Sequence, residues 1–203
     1  MKIPALFRLI AIALTAVVIS ACATKPIVEW QDESFSGPIN NLLIIGVSDQ
    51  ETSRRLFEDT FVKELAAFKV KAISSYRLMP IDQDVSRETI EAAAKGQTVD
   101  LVLVTRLLGV EDVDVYHPPS YYPYNRSYSS YYSHAMQYSS PGYYESYKVL
   151  TLESNLYDTT TQQLVWSMQS ENFDPSTPAK VIEQQIGLTI KILSERGLVP
   201  AKP

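Results

Sequence analysis

DLVLVTRLLGVEDVDV, residues Asp100 to Val115, is the stretch around which the rest of the predicted fold is arranged. Its first half is apolar at nearly every position, which is typical of a strand covered on both faces at the centre of an α/β sheet. In its second half Val113 and Val115 alternate with Asp112 and Asp114, which indicates that the same strand leaves its cover and runs into solvent. The sequence therefore predicts a central strand with one end outside the core.

A strand and a helix are predicted near the start of the domain. Residues 42–47 are apolar and predict a buried strand. Ser48 and Glu51 have the spacing of a capping box, which predicts the beginning of a helix. The buried face of this helix is predicted by apolar residues at helical spacing, namely Phe57, Phe61, Leu65 and Phe68.

A second strand and a short helix lead into the central strand. Residues 70–76 predict the strand, and residues 88–95 predict the helix. Ser86 or Asp84 is expected to cap the helix, and Gly96 is expected to end it in the left-handed conformation that glycine favours.

An antiparallel hairpin and a last helix are predicted at the carboxyl end. Apolar and polar residues alternate over 148–157 and again over 164–169, on either side of a turn at 158–162, so each strand has one polar face. Thr177 as N-cap and Pro178 in the first turn start the helix. Its buried stripe and its end are predicted by Ile182, Ile186, Ile190, Leu193 and Gly197.

These elements predict one α/β domain over residues 42–200, with a single small mixed sheet and packed helices. The order is β-α-β-α-β, a long loop, then β-β-α. Right-handed crossovers make the first three predicted strands parallel neighbours, and the hairpin adds antiparallel strands.

Several short segments carry a resemblance to known proteins: GVSD at 46–49, RLFED at 55–59, VTRL at 104–107, and LYD at 156–158 with LVW at 164–166. With these segments the chain resembles small bacterial lipoproteins, a family with no agreed activity. The order of elements also resembles the compact α/β domain of curli-secretion and penicillin-binding-protein-activator lipoproteins and the N-terminal domain of TolB. The resemblance implies a fold and no particular reaction.

The first 21 residues are predicted to be a signal peptide. Lys2 and Arg8 form its basic start, and the apolar stretch at 9–18 is too short to span a bilayer. The sequence that follows, Ile-Ser-Ala-Cys22, resembles the lipobox of bacterial lipoproteins. The resemblance implies cleavage before Cys22, diacylglycerol on its sulfur and acylation of its new amino group. Because residue 23 is alanine and not the aspartate that retains lipoproteins at the inner membrane, it also implies the periplasmic face of the outer membrane.

Residues 22–41 are predicted to be a lipidated tether between the anchor and the domain. They contain two X-Pro steps and few periodic apolar residues, and about 18 extended residues would span ~60 Å. Trp30 and Phe35 are exceptions. They are expected to pack locally under a loop, or else to dock the tether on the domain or pair it as an edge strand.

The charge balance excludes one class of partner. The chain has 18 Lys and Arg against 23 Asp and Glu, and cleavage removes two of the basic residues, which changes the net charge from −5 to −7. An acidic protein lacks the basic footprint that nucleic acids require. It also lacks an electrostatic attachment to anionic lipid. The predicted contact with the membrane is therefore the N-terminal lipid alone.

A Tyr-, Ser- and Pro-rich insertion is predicted over residues 116–147, and it holds 11 of the 13 tyrosines. A loop of this length is either functional or a mobile segment without a dedicated partner. Tyrosine provides a large amphipathic contact area at a small cost in entropy, so a surface for a glycan, a partner protein or a second copy is expected. The candidate binding residues are Tyr121, Tyr122, Tyr124, Tyr128, Tyr131, Tyr132, Tyr143 and Tyr144.

Arg106 is a further candidate binding residue, because it places a charge inside the apolar part of the central strand. A charge in such a place must lie at an end of the strand or find a partner. The main expectation is a structural pair with an acidic residue, and a ligand-binding role is the alternative.

The sequence predicts no catalytic residue, no metal site and no cofactor. His117 and His134 lie in the insertion without the ligand spacing of a zinc site. Ser48 follows Gly46 at a strand-to-helix turn as in a nucleophile elbow, but the second glycine is missing and helix capping explains the serine. Glu58 and Asp59 are expected on a solvated helix face, because neighbours in a helical sequence do not face each other.

The sequence therefore favours a non-catalytic lipoprotein that binds or assembles a component of the bacterial cell envelope through its Tyr-rich loop. One alternative is a subunit of a homo-oligomeric ring or secretion accessory, as the resemblance in fold implies. A second alternative, an envelope hydrolase, has no nucleophile, metal cluster or cofactor loop to support it.

Overall fold

The fold is described from a computed structural model, which defines residues 24–79, 86–95, 97–118 and 142–202. It contains a mixed sheet and three α-helices in these parts of the chain. The strands are β1 (Lys25–Gln31), β2 (Asn41–Val47), β3 (Lys71–Ser74), β4 (Leu101–His117), β5 (Tyr143–Asp158) and β6 (Leu164–Phe173). The helices are α1 (Glu51–Ala66), α2 (Arg87–Ala94) and α3 (Pro178–Glu195), and a 3-10 turn covers Ser75–Arg77.

The six strands form one sheet in the order β1-β6-β5-β4-β2-β3. Strand β2 is parallel to both β3 and β4, whereas β4–β5, β5–β6 and β6–β1 are antiparallel. The first three predicted strands are thus parallel neighbours and the hairpin adds antiparallel ones, which confirms the predicted α/β class and single mixed sheet. The structure adds β1 to the predicted order.

Each face of the parallel half of the sheet is covered by helix. On one face α1 and α3 pack against the sheet around the fully buried Phe61, Leu65 and Trp166. On the other face α2 covers a smaller apolar cluster that contains Leu43 and Val102. The alternation of β2 and β4 side chains between the two clusters explains why the sequence of these strands has no polar face. No helix in the described residues is long and apolar enough to cross a membrane.

Two of the three predicted helix caps are confirmed. The Ser86 side chain accepts a hydrogen bond from the Thr89 amide, and Thr177 caps α3 by accepting from the amide of Lys180. The predicted Ser48 cap is wrong. Helix α1 begins at Glu51 with Gln50 as its N-cap, and the Ser48 hydroxyl accepts instead from the Gln50 amide in a local turn, which uses up its capping oxygen.

The predicted helix end at Gly96 lies outside the described residues. At the end of α3, Gly197 has φ +71°, the left-handed conformation in which only glycine is free of strain, so the predicted end of this helix is confirmed.

The segment predicted as a tether contains a strand. Lys25–Gln31 pairs antiparallel with β6 along its length, with an irregularity between Pro26 and Val28. Within β1, Glu29 accepts hydrogen bonds from the indole of Trp166 and from Arg196. The partner residues in β6 are 135 residues or more away in sequence, so the local sequence does not predict this pairing. For Trp30 the favoured expectation, local packing under a loop, is therefore wrong, and the alternative of an edge strand is the one that the structure shows.

Candidate functional site

Strands β4 and β5 continue beyond the rest of the sheet. On one side β2 ends at Val47, opposite Arg106 of β4, and on the other side β6 ends at Phe173, opposite Val149 of β5. Residues 110–117 and 143–150 pair only or mainly with each other, and we call this two-stranded element the aromatic ribbon. At about 3.3 Å per residue it extends roughly 25 Å. The predicted insertion 116–147 therefore begins and ends within a β-ribbon.

A β-bulge marks the base of the aromatic ribbon. The register of β4 against β5 shifts between Leu107 and Gly109, which leaves Leu108 as the extra residue. A bulge bends its strand and increases the local twist, so it redirects the ribbon where β4 leaves the sheet. The alternation of valine and aspartate that follows in the sequence matches this solvent-exposed part of β4.

Aromatic side chains meet across the ribbon. The rings of Tyr116 and Tyr144 are 5.0 Å apart, and His117 stacks on Tyr143 with 4.8 Å between ring centroids. At the base, Tyr147 contacts Phe173 of β6 at 5.0 Å. Cross-strand aromatic pairs of this kind stabilise a two-stranded ribbon by roughly 0.2–1 kcal/mol each.

Both faces of the aromatic ribbon expose apolar surface. The most exposed of its large side chains is Tyr144, at 71% of its full accessible area. The other exposed apolar residues of the ribbon and its base are Leu107, Leu108, Val110, Val113, Val115, Tyr116, Tyr143 and Phe173. Scattered single hydrophobic residues are normal on a surface, but a contiguous group of this kind is typical of an interaction site.

The charged groups of the ribbon are paired locally. Lys148 lies 2.9 Å from Asp112, Ser146 donates to Asp114, and the His117 Nε2 atom lies 3.1 Å from a carboxylate oxygen of Glu145, without the angle of a hydrogen bond. These pairs hold side chains in place without forming a reactive centre. Among the described residues no group of three or more His, Cys, Asp or Glu could hold a metal ion, and His134 lies outside them.

Tyr147 is a hydrogen-bond donor on the ribbon. Its hydroxyl donates to Glu145, and this bond together with the negative charge nearby raises the pKa of Tyr147 to about 12. The phenol therefore stays neutral at any physiological pH. Tyr147 consequently offers an amphipathic contact surface and no general base.

Arg106 lies at the point where the ribbon leaves the sheet, and it forms the predicted pair with an acidic residue. Its Nε atom donates to Glu153 of β5 at 2.8 Å, and Arg106 is 56% exposed while Glu153 is 13% exposed. Burial raises the pKa of Glu153, but the hydrogen bonds from Arg106 and Gln169 outweigh it, so this pKa lies below the ordinary glutamate value. The expected structural pairing is confirmed, and a role of Arg106 in binding stays a prediction.

Replacing Arg106 by methionine is expected to lower the free energy of unfolding by about 1 kcal/mol or less, because exposed ion pairs contribute little. Since the folded-state pKa of Glu153 is depressed, the stabilisation is present above the ordinary glutamate pKa and is lost as the pH falls through the folded-state value. Urea unfolding of both proteins across this pH range tests the prediction. A difference that grows towards acid would contradict it.

Of the two carboxylates expected on a solvated helix face, Asp59 is exposed as predicted, whereas the prediction for Glu58 is wrong. Glu58 is fully buried, and its Oε1 atom accepts from Arg54 Nε at 3.0 Å, from the Gly46 amide at 3.0 Å and from Ser75 Oγ at 2.6 Å. Its Oε2 atom accepts from the Tyr76 amide at 2.9 Å. The prediction was wrong because α1 turns this side of its first half towards the ends of β2 and β3, where unpaired backbone donors need an acceptor.

This buried cluster is complete, because Arg54 also donates to Ser75 Oγ at 2.8 Å and to the Met79 carbonyl at 3.1 Å. Gly46 allows the Phe57 ring of α1 to pack close to the backbone of β2, since a Cβ atom at position 46 would lie 2.9 Å from that ring. A cluster in which every acceptor is used has no atom left for a substrate. It joins α1 to the carboxyl ends of the parallel strands, and its role is structural.

The structure tests only part of the predicted site. Tyr143 and Tyr144 lie together at the far end of the ribbon, whereas Arg106 lies beyond its base, ten residues along β4 from the partner of Tyr144, so the structure does not bring Arg106 together with the tyrosines. Cys22 and the remaining candidates, Tyr121, Tyr122, Tyr124, Tyr128, Tyr131 and Tyr132, lie outside the described residues. Phe173 could not be predicted as part of this surface, because its contact with Tyr147 depends on the β5–β6 register.

No protein-family model and no curated protein matches the sequence. Among solved structures, the chain is similar to the PelC dodecamer from Paraburkholderia phytofirmans at 11% identity and a TM-score of 0.44, over 86% of this chain and 97% of that chain. It is similar to lipoprotein GNA1162 from Neisseria meningitidis at 10% identity and a TM-score of 0.39, over 78% and 99%. For the hypothetical protein CT253 from Chlamydia trachomatis the values are 9%, 0.39, 78% and 97%. These likenesses do not extend to an activity.

Proposed function

We propose that this protein is a lipid-anchored, non-catalytic component of the bacterial cell envelope that binds another envelope molecule through the aromatic ribbon. The anchor is Cys22, on the strength of the lipobox-like sequence that precedes it. The binding surface is the ribbon with its exposed apolar side chains, and this surface is the observation that carries the proposal.

The composition of the ribbon suits binding better than catalysis. Tyrosine and phenylalanine bury large areas on contact and lose little side-chain entropy, so they are common at the centres of interfaces. The one lysine of the ribbon, Lys148, is already paired with Asp112, and the phenol of Tyr147 is held neutral. The ribbon therefore presents apolar area and hydroxyl groups to a binding partner. Such a surface suits a protein, a glycan or a lipid surface.

A second copy of the chain is the alternative partner. Beyond Arg106 one edge of β4 has no neighbouring strand among the described residues, and β5 has none on its outer edge before Val149. Open strand edges are templates for pairing with another chain, and pairing of the β4 edge with the β5 edge of a second copy would be a head-to-tail contact that can close into a ring.

In-cell photo-crosslinking tests the proposal. A photoreactive amino acid in place of Tyr144 is expected to give a discrete adduct, because this side chain is 71% exposed at the ribbon. The matched control places the same group at Glu183, which is 66% exposed on α3 and does not belong to the ribbon. Mass spectrometry of the adduct identifies whether it is protein, glycan, lipid or a second copy.

An adduct at Tyr144 that is absent at Glu183 supports the ribbon as the binding surface. Equal labelling at both positions, or none at Tyr144, refutes it. Light scattering of the full chain in detergent separates the two partner classes, since a ring has several times the protein mass of the monomer. Mass spectrometry of the mature N-terminus tests the anchor, and an intact, unacylated leader would contradict it.

A further inference from the structure

We propose that the aromatic ribbon lies in the headgroup layer of the membrane that holds the lipid anchor, with zwitterionic phospholipid as its partner. This inference rests on the proposed anchor at Cys22 and on the ribbon as the binding surface. It comes from the contacts that hold Thr24 and Lys25 against β6, close in sequence to Cys22, and from the end of the sheet at which the ribbon leaves it.

The domain is fixed almost directly after the anchor. The Thr24 hydroxyl donates to the buried Asn172 of β6 at 2.5 Å, and Lys25 is already paired with Glu171. Only Ala23 separates Thr24 from Cys22, and two residues of fully extended chain span at most about 7 Å. The long tether expected from the sequence is therefore not present between Cys22 and the sheet. The acyl chains on Cys22 begin no farther from Thr24 than about 7 Å of backbone and one cysteine side chain.

The strand register places this anchoring point at the base of the ribbon. Lys25 is opposite Glu171, Glu171 is opposite Thr151, and Thr151 is opposite Gly109, where the ribbon begins. Past this end of the sheet the ribbon, turned by the bulge at Leu108, extends away from the body of the sheet for roughly 25 Å. Strand β1 is two strands from β5, about 10 Å to the side. The ribbon therefore projects from the end of the domain that the anchor holds against the membrane.

The orientation of β1 is held by contacts other than its pairing with β6. The Glu29 carboxylate accepts from both Arg196 Nε and Nη2 at 2.8 Å, and from Trp166 Nε1 at 3.1 Å. Trp166 is fully buried and Arg196 follows α3, so β1 is attached to the helix layer as well as to the sheet. Detachment of β1, which would restore a long spacer, breaks all of these contacts together.

The chemistry of the ribbon matches the interface of a bilayer and not its hydrocarbon core. Tyrosine places its ring among acyl-chain ends and its hydroxyl among headgroups, which is why it is enriched at membrane surfaces. The unpaired edges of β4 and β5 need water for their backbone groups, so the ribbon does not enter the hydrocarbon. Its four carboxylates, at Glu111, Asp112, Asp114 and Glu145, outnumber the single Lys148, which disfavours anionic lipid.

A single introduced cysteine tests the proposal in the full, lipidated chain. Cys22 is the only cysteine and its sulfur carries lipid, so Val115→Cys would be the sole free thiol for an environment-sensitive fluorophore. Val115 is 37% exposed on the ribbon. The control is Thr160→Cys, which is exposed in the turn between β5 and β6 at the opposite end of the sheet. Both proteins are reconstituted in phosphatidylcholine vesicles with and without a headgroup-linked nitroxide quencher.

The label at Val115→Cys is expected to lose about half of its emission to the quencher, because a probe in the headgroup layer contacts it directly. The label at Thr160→Cys is expected to keep its emission. Adding anionic phosphatidylglycerol is expected to leave quenching at Val115→Cys unchanged or to reduce it. Equal emission with and without quencher at Val115→Cys overturns the inference, as does equal quenching at both positions.

Vesicle flotation separates this failure from failure of the proposed function. A wild-type protein that does not float with vesicles has no lipid anchor, and the proposed function then falls with the inference. A protein that floats but shows no quenching at Val115→Cys keeps its anchor, and only the inference is refuted. Capture of a protein partner at Tyr144 without any lipid adduct would likewise refute the inference and leave the proposed anchor and binding surface in place.

Discussion

Replacing Glu58 by glutamine is expected to lower the free energy of unfolding by about 3–5 kcal/mol, because it leaves the buried Arg54 without its counter-ion. Arg54 and Glu58 are 4% and 0% exposed. The amide of glutamine brings an N–H donor into a pocket lined by donors. At the position of Oε2 the new NH2 group would face the donating amide of Tyr76. At the position of Oε1 it would face the donors of Gly46, Arg54 and Ser75. Urea unfolding monitored by circular dichroism measures the loss.

Two further variants make the Glu58→Gln result specific. Glu64→Gln changes the same residue type on the exposed side of α1 and is expected to alter stability by about 0.5 kcal/mol or less. The double variant Arg54→Met with Glu58→Leu removes both charges and is expected to be less destabilised than Glu58→Gln, because no charge is left unpaired. A Glu58→Gln protein as stable as Glu64→Gln would show that the cluster is hydrated and not buried.

Replacing Trp166 by alanine is expected to cost about 3–5 kcal/mol, the range found for large aromatic residues in protein cores. Trp166 is fully buried on the central antiparallel strand β6, packed in the cluster shared by α1 and α3. Its indole also donates to Glu29, so the substitution creates a cavity and weakens the attachment of β1. Thermal and urea unfolding measure the change.

Trp30→Ala is the matched control, because it removes the only other tryptophan. Trp30 is 48% exposed on the edge strand β1, so its loss is expected to cost about 1 kcal/mol or less. The two variants also separate the fluorescence of the buried and the exposed indole. If Trp166→Ala were no more harmful than Trp30→Ala, the described core between the sheet and the two long helices would be contradicted.

Local sequence was sufficient for the elements whose side-chain pattern is set by one contact face. The apolar run at 101–104 identified the central strand, because burial on both faces leaves no polar position. Alternation around the turn at 159–161 identified the β5–β6 hairpin, and Thr177 with Pro178 marked the start of α3. In these elements the pattern itself lies within one segment of the chain, although the surfaces that bury it come from other segments.

The remaining features depend on residues far apart in sequence. The Glu58 carboxylate is bound by Gly46 of β2 and by Ser75 of the 3-10 turn after β3, so its own helix alone predicted a solvated face. The tyrosines of the predicted insertion indicated a contact surface, but only the pairing of β4 with β5 shows that Tyr143 and Tyr144 lie on a projecting ribbon.

The sequence by itself determined the α/β class, the order of the central elements and the lipobox-like site at Cys22, because each is written in a short continuous pattern. The tertiary structure alone decided that Thr24 is bound to Asn172 and that β1 forms one edge of the sheet. It also decided that the ribbon leaves the sheet at the end where β1 begins. These facts follow from strand register, and register is set by backbone hydrogen bonds and side-chain burial between segments more than a hundred residues apart.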